Sequence, residues 1–380
     1  MTDVRIGIIG LGNIGRFHAA YLHEGKVSRC RLTAVCSSRP LELEGVRRFE
    51  TVEELLEADV VDAALIATPS FTHADIAEKL IRHGLHVLVE KPPALHKAEF
   101  DRILAARRSP SQVLGCMLNQ RANPLYAKTR SLLRSGELGE IQRFLWCATH
   151  WYRPDAYYSL SDWRATWRGE GGGVLMNQAF HELDLLVWLF GMPQSVQAFC
   201  RLGAYHAIQT EDEVTAFLEY PSGGTGVFIA STGEAPGVNR LEIAGEMGLL
   251  SIENGSLCFE RNEQSARIFS ERTNQAFGRP NTERIALPVK ESPNSHAIIV
   301  QNFVDAILDG TSLIAPLEEG GQAVELANAM LYAHFRERRV ELPLDGRAYA
   351  EHLQRLIATT PKPKRRLRRD VIVDMRKSFA

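Results

Sequence analysis

The sequence predicts an α/β protein. It begins with a doubly wound parallel sheet and continues into an α+β part with a large, mostly antiparallel open sheet. Three observations predict this arrangement. Short apolar strands alternate with helix patterns at the start of the chain, a Gly-x-Gly-x-x-Gly turn follows the first strand, and strand patterns dominate after residue 123.

The first part, residues 1–122, is predicted to be a Rossmann dinucleotide-binding domain with five strands. The predicted strands are VRIGIIG, RLTAVCS, VDAALIAT, HVLVEKP and QVLGCML. Helices are predicted in IGRFHAAYLHEG, TVEELLEA, THADIAEKLIRHG and HKAEFDRILAARR. Because the strands are apolar throughout and are separated by helices, they fit a parallel sheet covered on both faces.

The second part, residues 123–345, is predicted to form an α+β domain. It opens with a helix in NPLYAKTRSLLRSGELG, and two helices close it, in SHAIIVQNFVDAILDG and LEEGGQAVELANAMLYAHFRERR. Strands are predicted in IQRFLWCATHWY, SVQAFCRLGAY, EVTAFLEYP, GTGVFIASTG, RLEIAGEMGLLSIEN and SLCFERN. Residues 346–380 are a C-terminal extension whose basic run KPKRRLRRD suits a solvated tail or an oligomer arm.

Composition excludes several classes of function. The chain has 380 residues, a formal net charge of −2 and 45% hydrophobic residues, so we expect neither a nucleic-acid nor a membrane partner. The six cysteines are scattered, and none forms a CxxC pair. We therefore expect free thiols and a cytoplasmic protein, and the apolar N-terminus lacks the basic start and cleavage site of a signal peptide.

The turn GIIGLGNIG predicts a nucleotide site. Gly10, Gly12 and Gly15 lie between a predicted strand and a predicted helix. Glycines at this spacing permit a tight turn, close approach to a pyrophosphate and close packing of helix on strand. The N-terminus of the helix, at Asn13 and Ile14, then faces the negative charge.

The end of the second strand bears on the choice between NAD and NADP. A carboxylate there would bind the ribose 2′-hydroxyl, whereas arginine accommodates a 2′-phosphate. The sequence has Ser37, Ser38 and Arg39, and no carboxylate before Glu42. This pattern favours NADP over NAD; the alternative is that Arg39 is an ordinary surface residue.

The segment GGGVLMNQAFHELDLLVWLFG predicts a buried helix over residues 174–190 that carries polar side chains. Asn177, His181 and Asp184 have the i, i+4, i+7 spacing of one helical stripe. His181 could exchange a proton during hydride transfer, or it could be a core histidine satisfied by its neighbours. Lys91, at the end of the fourth predicted strand, could stabilise charge on a substrate oxygen, or it could be a surface lysine.

Taken in order, the motifs GIIGLGNIG, ATPSFTH, EKP and GGGVLMNQAFHELDLLVWLFG resemble those of the Gfo/Idh/MocA oxidoreductases. The resemblance implies hydride transfer between NAD(P) and a ring hydroxyl or ketone of a sugar, glycoside or polyol. It implies Lys91 and His181 as the catalytic pair. It also puts Asn177 where relatives often have Asp, and we expect Asn177 to orient substrate. The resemblance further implies that residues 123–345 bind substrate and form the contacts of a homodimer or homotetramer. The resemblance extends the expected cofactor contacts to four more residues: Thr68, Pro69, His73 and Glu90.

The substrate wall is predicted from residue type and position. Aromatic and arginine side chains suit sugar recognition because rings stack on C–H faces and guanidinium groups bond paired hydroxyls. The candidates are Asn119, Arg121, Tyr152, Tyr157, Trp163 and Arg164. For any one of the aromatic and arginine residues before the helix, an oligomer interface or a lid is the alternative. A structural role is favoured for His296, and no metal site is predicted.

The sequence therefore predicts an NAD(P)-dependent dehydrogenase or reductase that acts on CH–OH groups of a carbohydrate or polyol. Three alternatives remain at this point. They are a biosynthetic reductase of a keto-sugar or small carbonyl, a redox-assisted glycoside-cleaving enzyme, and a non-catalytic nucleotide sensor. The presence of both Lys91 and His181 argues against the sensor.

Overall fold

The computed structural model describes residues 3–40, 43–289, 295–363, 365, 367, 368 and 371–373. The strands are β1 Val4–Ile9, β2 Cys30–Cys36, β3 Arg47–Phe49, β4 Ala63–Ile66, β5 His86–Val89, β6 Leu114–Cys116, β7 Ile141–Ala148, β8 Ser195–Leu202, β9 Glu211–Glu219, β10 Thr225–Ser231, β11 Asn239–Gly245, β12 Gly248–Glu253, β13 Ser256–Asn262, β14 Thr282–Leu287 and β15 Val340–Glu341. The helices are α1 Asn13–His23, α2 Val52–Glu57, α3 His73–His83, α4 Lys97–Ala105, α5 Pro124–Arg134, α6 Asp155–Tyr158, α7 Trp167–Glu170, α8 Phe180–Phe190, α9 Ala266–Arg272, α10 Ser295–Asp309, α11 Leu317–Arg336 and α12 Gly346–Thr359.

The first sheet is parallel and has the order β3-β2-β1-β4-β5-β6. Chain order reverses between β1 and β4, and ligands bind at such a point in open α/β sheets. The predicted doubly wound fold is confirmed. The edge strand β3 was not predicted, because its sequence RRF is short and has one buried side chain.

The second sheet has nine strands in the order β14-β13-β12-β11-β7-β10-β9-β8-β15. All neighbours are antiparallel except β7 and β10, which confirms the prediction of a mostly antiparallel sheet. The segment predicted as one strand, RLEIAGEMGLLSIEN, is two strands, because Gly248 takes a φ of 134° where the chain turns back. Neither edge strand, β14 nor β15, was predicted.

After the second sheet the chain returns to the first. The backbone N–H of Cys116 donates to Ala315 O at 3.0 Å, and α10 contacts β1 and β5. The predicted extension from residue 346 begins with a helix, α12, that packs against α4. Tyr349 anchors this helix with no exposed surface.

The predicted helix over 174–190 is shorter than expected. The regular helix α8 starts at Phe180, and an irregular turn precedes it. In that turn the N–H of Asn177 bonds to Gly173 O, and the N–H of Ala179 reaches back five residues to Val174 O. Asn177 therefore does not share a helical stripe with His181, and the two side chains are set by different backbone segments.

Two further findings concern the described residues. Within them, no helix has the length and apolar character needed to span a bilayer. All six cysteines are free thiols.

Candidate active site

The glycine turn after β1 forms a cradle suited to a dinucleotide. Gly10 has a φ of 96°, which favours glycine, and a Cβ there would lie 2.8 Å from Ala67 O. A Cβ on Gly15 would lie 2.0 Å from Gly10 O, so helix and strand are in contact at this point. A Cβ on Gly12 would meet nothing within 4 Å, which leaves open space at the N-terminus of α1. The cap residue of α1 makes no side-chain hydrogen bond, so amides at Asn13 and Ile14 remain available to an anion.

The end of β2 is exposed and positively charged. Ser38 and Arg39 are exposed, and the Arg39 N–H donates to Ser37 Oγ at 3.0 Å. Arg16, on α1, reaches the same loop, where its Nη2 donates to Pro40 O at 3.1 Å. Glu42 lies outside the described residues. The loop offers two guanidinium groups to whatever binds at this corner of the cradle.

Three of the predicted cofactor residues have internal roles. The ring of His73 is buried, and its nitrogens lie 2.8 Å from the carbonyl oxygens of Pro92 and Thr68. Glu90 is also buried, with Oε1 at 2.7 Å from His18 Nε2 and Oε2 accepting from the Lys91 N–H. His73 and Glu90 thus stabilise the turn that carries Lys91, and the hydrogen-bonding groups of both side chains already have partners within the protein. Thr68 Oγ1 accepts from Thr72 Oγ1 at 2.7 Å, in the loop after β4.

Lys91 follows β5 and crosses to the second part of the chain. Its Nζ donates to the backbone oxygen of Asn177 at 2.9 Å. Burial lowers the pKa of Lys91; Glu90 and Glu170 oppose this effect, and Arg153 and Arg164 add to it. An ammonium has three donors, so this bond leaves donors for a substrate oxygen.

His181 lies on the first turn of α8, near Lys91. Burial lowers its pKa well below 6.5, and the positive charges of Lys91 and His296 add to the effect. The imidazole is therefore neutral at neutral pH and can accept a proton. Its Nδ1 is buried and has no hydrogen-bond partner among the described residues. His181 as a residue is only partly buried, so a bound molecule can reach it.

Asn177 is the centre of a polar cluster. Its Nδ2 donates to Tyr157 Oη at 3.1 Å and to Glu170 Oε1 at 2.6 Å. Arg164 Nη1 donates to the same Tyr157 oxygen at 2.7 Å and lies 3.8 Å from Glu170 Oε1. The structure thus brings the predicted residues Tyr157, Arg164 and Asn177 together beside Lys91.

The aromatic wall is continuous with this cluster. The Arg164 guanidinium lies over the rings of Tyr157 and Trp163, and Trp163 meets Phe71, in the loop after β4, edge to face. Tyr152 is 45% exposed, and its side chain takes no part in the hydrogen bonds of the cluster. The wall therefore contains Tyr157, Trp163 and Arg164 from the predicted set.

The two residues predicted at the domain junction have different partners from those expected. Arg121 has a fully buried side chain whose Nη2 donates to Asp184 Oδ1 at 2.6 Å, and its Nη1 bonds Glu319. Asn119 is buried and donates to Ser295 Oγ at 2.9 Å. The guanidinium of Arg121 is occupied by these two carboxylates, which argues against the expectation that Arg121 binds substrate. The expectation that Asp184 belongs to an internal network is confirmed.

Sequence reasoning missed three residues around the site. Glu170 is a buried carboxylate beside Asn177. The one sequence feature that could have drawn attention to it is its position directly before three glycines. Trp151 stacks near His181 and donates from Nε1 to Glu182 Oε2 at 3.0 Å. Burial raises the pKa of Glu182 to about 7. His296 is buried against Phe17 and His18, as expected for a structural role.

Part of the basic run lies against the site loop. Arg365 Nη2 donates to Ser161 O at 3.2 Å and to the carbonyl of Arg164, and the Arg368 N–H donates to Ser159 O. The other members of the run at 364, 366, 369 and 370 lie outside the described residues. The described part of the tail thus braces the loop that carries Arg164. Within the same described residues no group of three or more His, Cys, Asp or Glu side chains could hold a metal ion.

Comparisons with known proteins agree with this geometry. The model of an oxidoreductase family with an NAD-binding Rossmann fold matches residues 4–117, and the model of the GFO/IDH/MocA C-terminal domain matches residues 126–251. The chain is 24% identical over 349 residues to inositol 2-dehydrogenase of Rhizobium meliloti, covering 89% of this chain and 99% of that protein.

Two solved structures share the whole architecture. One is the WlbA dehydrogenase from Bordetella pertussis in complex with NADH and UDP-GlcNAcA, with a TM-score of 0.75 and 25% identity over 90% of this chain and 100% of that one. The other is levoglucosan dehydrogenase in complex with NADH and levoglucosan. Its TM-score is 0.74 at 20% identity, with the same coverage, and it supports the fold alone.

Proposed function

This chain belongs to the GFO/IDH/MocA oxidoreductases and is an NAD(P)-dependent dehydrogenase of that family, and we propose that it uses NADP to oxidise a ring hydroxyl of a sugar, glycoside or polyol. The single observation that carries the proposal is the meeting of Lys91, His181 and Asn177 at the junction of the two sheets. Lys91 Nζ bonds the backbone of Asn177 there, at 2.9 Å. Inositol and a nucleotide sugar are named with the similar proteins.

The residues take the following parts. Lys91 donates a hydrogen bond to the reacting oxygen and stabilises the charge that develops on it. His181, neutral because of its depressed pKa, accepts the hydroxyl proton. Asn177 orients the hydroxyl. The nicotinamide, when bound, supplies the hydride acceptor, and in the reverse direction His181 returns the proton.

The cradle fits the cofactor. The space in front of Gly12, the uncapped N-terminus of α1 and the loop after β4 would hold the dinucleotide. At the end of β2, the Arg39 guanidinium is exposed beside Ser37 and Ser38, and Arg16 lies close by. Hydroxyls and guanidinium groups suit a 2′-phosphate, which supports NADP over NAD.

The decisive experiment is a turnover screen of the purified protein. Hexoses, glycosides, inositols and their keto forms are tested with NAD and with NADP, and the absorbance of the reduced nicotinamide is followed. We expect turnover with at least one cyclic polyhydroxylated compound, and its loss in Lys91→Met and His181→Ala. Lys97→Met is the matched control, since Lys97 pairs with Asp101 on the exposed surface. Full activity of both site variants would refute the assigned roles.

The alternatives are not favoured. A glycoside-cleaving enzyme that holds NAD tightly has no support in the arginine-rich loop after β2. A sensor without chemistry has no need of both Lys91 and a neutral His181 in the same site. A biosynthetic reductase differs from the proposed enzyme only in direction, and the same screen with keto substrates and reduced cofactor measures it.

The preference for NADP has its own test. Arg39→Ala should lower kcat/KM for NADP by about 10-fold to 100-fold, the worth of a charge-assisted hydrogen bond, and leave NAD almost unchanged. Arg31→Ala is the matched control, because Arg31 is an exposed arginine at the opposite end of β2. An equal effect of Arg39→Ala on both cofactors would contradict the assignment.

We further propose a homodimer or homotetramer in the cytoplasm. The outer face of the second sheet exposes Phe199 and Phe217 on adjacent strands, 68% and 45% exposed, and the free thiols suit a reducing compartment. Phe199→Glu should lower the mass measured by light scattering. Phe277→Glu, at a residue 99% exposed outside this sheet face, should leave it unchanged. A wild-type protein that is monomeric at every concentration would refute the oligomer.

A further inference from the structure

Glu170 is a buried carboxylate that faces the catalytic cluster. It ends the short helix α7, which begins after Thr166, whose side chain accepts from the Gly169 N–H. Only 4% of Glu170 is exposed. Its Oε2 accepts from the Ala165 N–H at 2.5 Å, and its Oε1 accepts from Asn177 Nδ2 at 2.6 Å. One carboxylate oxygen is thus held by the backbone of Ala165, and the other faces the side chain of Asn177.

This contact determines the orientation of the Asn177 amide. Burial raises the pKa of Glu170, whereas Arg164, the Ala165 N–H and Asn177 act to lower it. In its ionised form the carboxylate only accepts hydrogen bonds, so the amide atom that faces it is then the nitrogen. The second Nδ2 hydrogen is used by Tyr157 Oη at 3.1 Å. Among the residues that the structure describes, none donates to Asn177 Oδ1. The amide therefore offers a free acceptor oxygen, which is what a substrate hydroxyl needs as it is oriented.

The negative charge of Glu170 also lies close to Lys91. Positive groups surround Lys91, since Arg153 and Arg164 both act on it, while Glu90 is already paired with His18. Glu170 acts on Lys91 with a negative charge and is bonded to Asn177, the residue whose backbone holds Lys91 Nζ. Asn177 itself carries no charge. A carboxylate seven positions earlier in the chain thus lies within hydrogen-bond distance of the Asn177 side chain.

We infer that Glu170 is a positioning residue of the active site: it orients the Asn177 amide so that Oδ1 faces the substrate hydroxyl, and it supplies beside Lys91 the negative charge that Asn177 lacks. This inference rests on the proposed function, since it assigns a role in the same reaction. It involves no covalent step by Glu170, and the proton of the substrate still goes to His181.

The test moves the carboxylate from residue 170 to residue 177, the two partners of the hydrogen bond. Glu170→Gln should lower kcat by about 10-fold to 100-fold, because a charged hydrogen bond is lost and the Asn177 amide can rotate. Its Oε1 can still accept from the Ala165 N–H, and the Kd for NADP should be unchanged. Asn177→Asp alone sets two carboxylates against each other and should also be slow.

The double variant Glu170→Gln with Asn177→Asp restores one charge and one hydrogen bond. We expect its kcat to exceed that of each single variant by at least about tenfold, a coupling that independent structural damage would not give. Glu325→Gln is the matched control, since Glu325 is a buried carboxyl that bonds the Leu344 N–H away from the site. A double variant no faster than the slower single variant, or full activity in Glu170→Gln, would overturn the inference.

A second measurement separates this inference from the proposed function. The rate at which acetic anhydride labels Lys91 is followed against pH by peptide mass spectrometry, with Lys97 as internal standard. Loss of the Glu170 charge should move the midpoint for Lys91 to lower pH, and the double variant should move it back. This result needs no substrate. Silence of the wild type in the turnover screen would count against the proposed function, and an unmoved Lys91 midpoint would count against the role of Glu170.

Discussion

The buried pair of Arg121 and Asp184 allows a sharp test of what Arg121 does. Arg121 has 0% and Asp184 2% side-chain exposure, and two guanidinium nitrogens of Arg121 bond Asp184 at 2.6 to 3.2 Å. Removing one member leaves an uncompensated buried charge, which typically costs about 3–5 kcal/mol. We therefore expect Arg121→Met to lower the free energy of unfolding by about that amount.

The pair can also be replaced as a whole. Arg121→Met with Asp184→Leu removes both charges, and such replacements by apolar groups are often neutral or better. We expect the double variant to regain most of the lost stability. Glu319, the second partner of Arg121, is 39% exposed and can turn to water, so it does not cancel the recovery.

The assay combines urea unfolding with steady-state kinetics on the substrate found in the screen. A structural Arg121 predicts a lower unfolding midpoint in Arg121→Met, recovery in the double variant, and a KM close to that of the wild type. Arg134→Met, at an exposed position on α5, controls for the loss of charge. A large rise in KM without a change in the unfolding midpoint would refute the reasoning and return Arg121 to the substrate site.

Three further predictions follow from the site. Gly12→Val should abolish cofactor binding measured by fluorescence yet keep the fold, since a Cβ at Gly12 meets open space. Gly15→Val should unfold the domain, since a Cβ there would collide with Gly10 O. Equal stabilities of the two variants would contradict this prediction. Because the pKa of His181 is depressed, the rate of alcohol oxidation should stay level as pH falls through 6.5, and an inflection there would argue against His181 as the base. Burial raises the pKa of Glu182 to about 7, so the folded state keeps a proton that the unfolded state has released above pH 4.5. The contribution of Glu182 to the unfolding free energy should therefore fall by about 3 kcal/mol between about pH 5 and pH 8. Urea unfolding of Glu182→Gln should lack this contribution.

The fold was largely predictable because its signals are local. Alternating strand and helix patterns and the glycine turn reflect periodicity and backbone sterics, which act over a few residues. The elements that were not predicted depend on contacts with other parts of the chain. β3 and β15 have three and two residues and exist only by pairing with β2 and β8. The helix α12 did carry a local signal, since Asp345 caps it by accepting from the Arg347 and Ala348 N–H groups.

The site was less predictable than the fold, because residue type does not reveal the partner. Arg121 looked suited to a sugar, but its partner Asp184 is 63 positions away and only the fold brings them together. His73 and Glu90 belong to motifs near a cofactor, yet their side chains bond within the protein. Lys91, at the end of a strand, and His181, a polar residue in an otherwise apolar segment, stood out as candidates by local features. Their catalytic roles were assigned from the resemblance to the Gfo/Idh/MocA oxidoreductases.

The irregular turn before α8 explains how an asparagine can serve in this site. In a continuous helix from residue 174, residues 177 and 181 would lie on one face and compete for the same space. The turn instead presents two groups of Asn177 in different directions. Its backbone oxygen receives Lys91 Nζ, and its side-chain nitrogen meets Glu170. Charge, orientation and the lysine contact are thus divided among Glu170, the Asn177 amide and the Asn177 backbone. A change at the side chain of Glu170 or of Asn177 should therefore be measurable without loss of the lysine contact, which the Asn177 backbone makes. This is the reason that exchanging the carboxylate between residues 170 and 177 is informative.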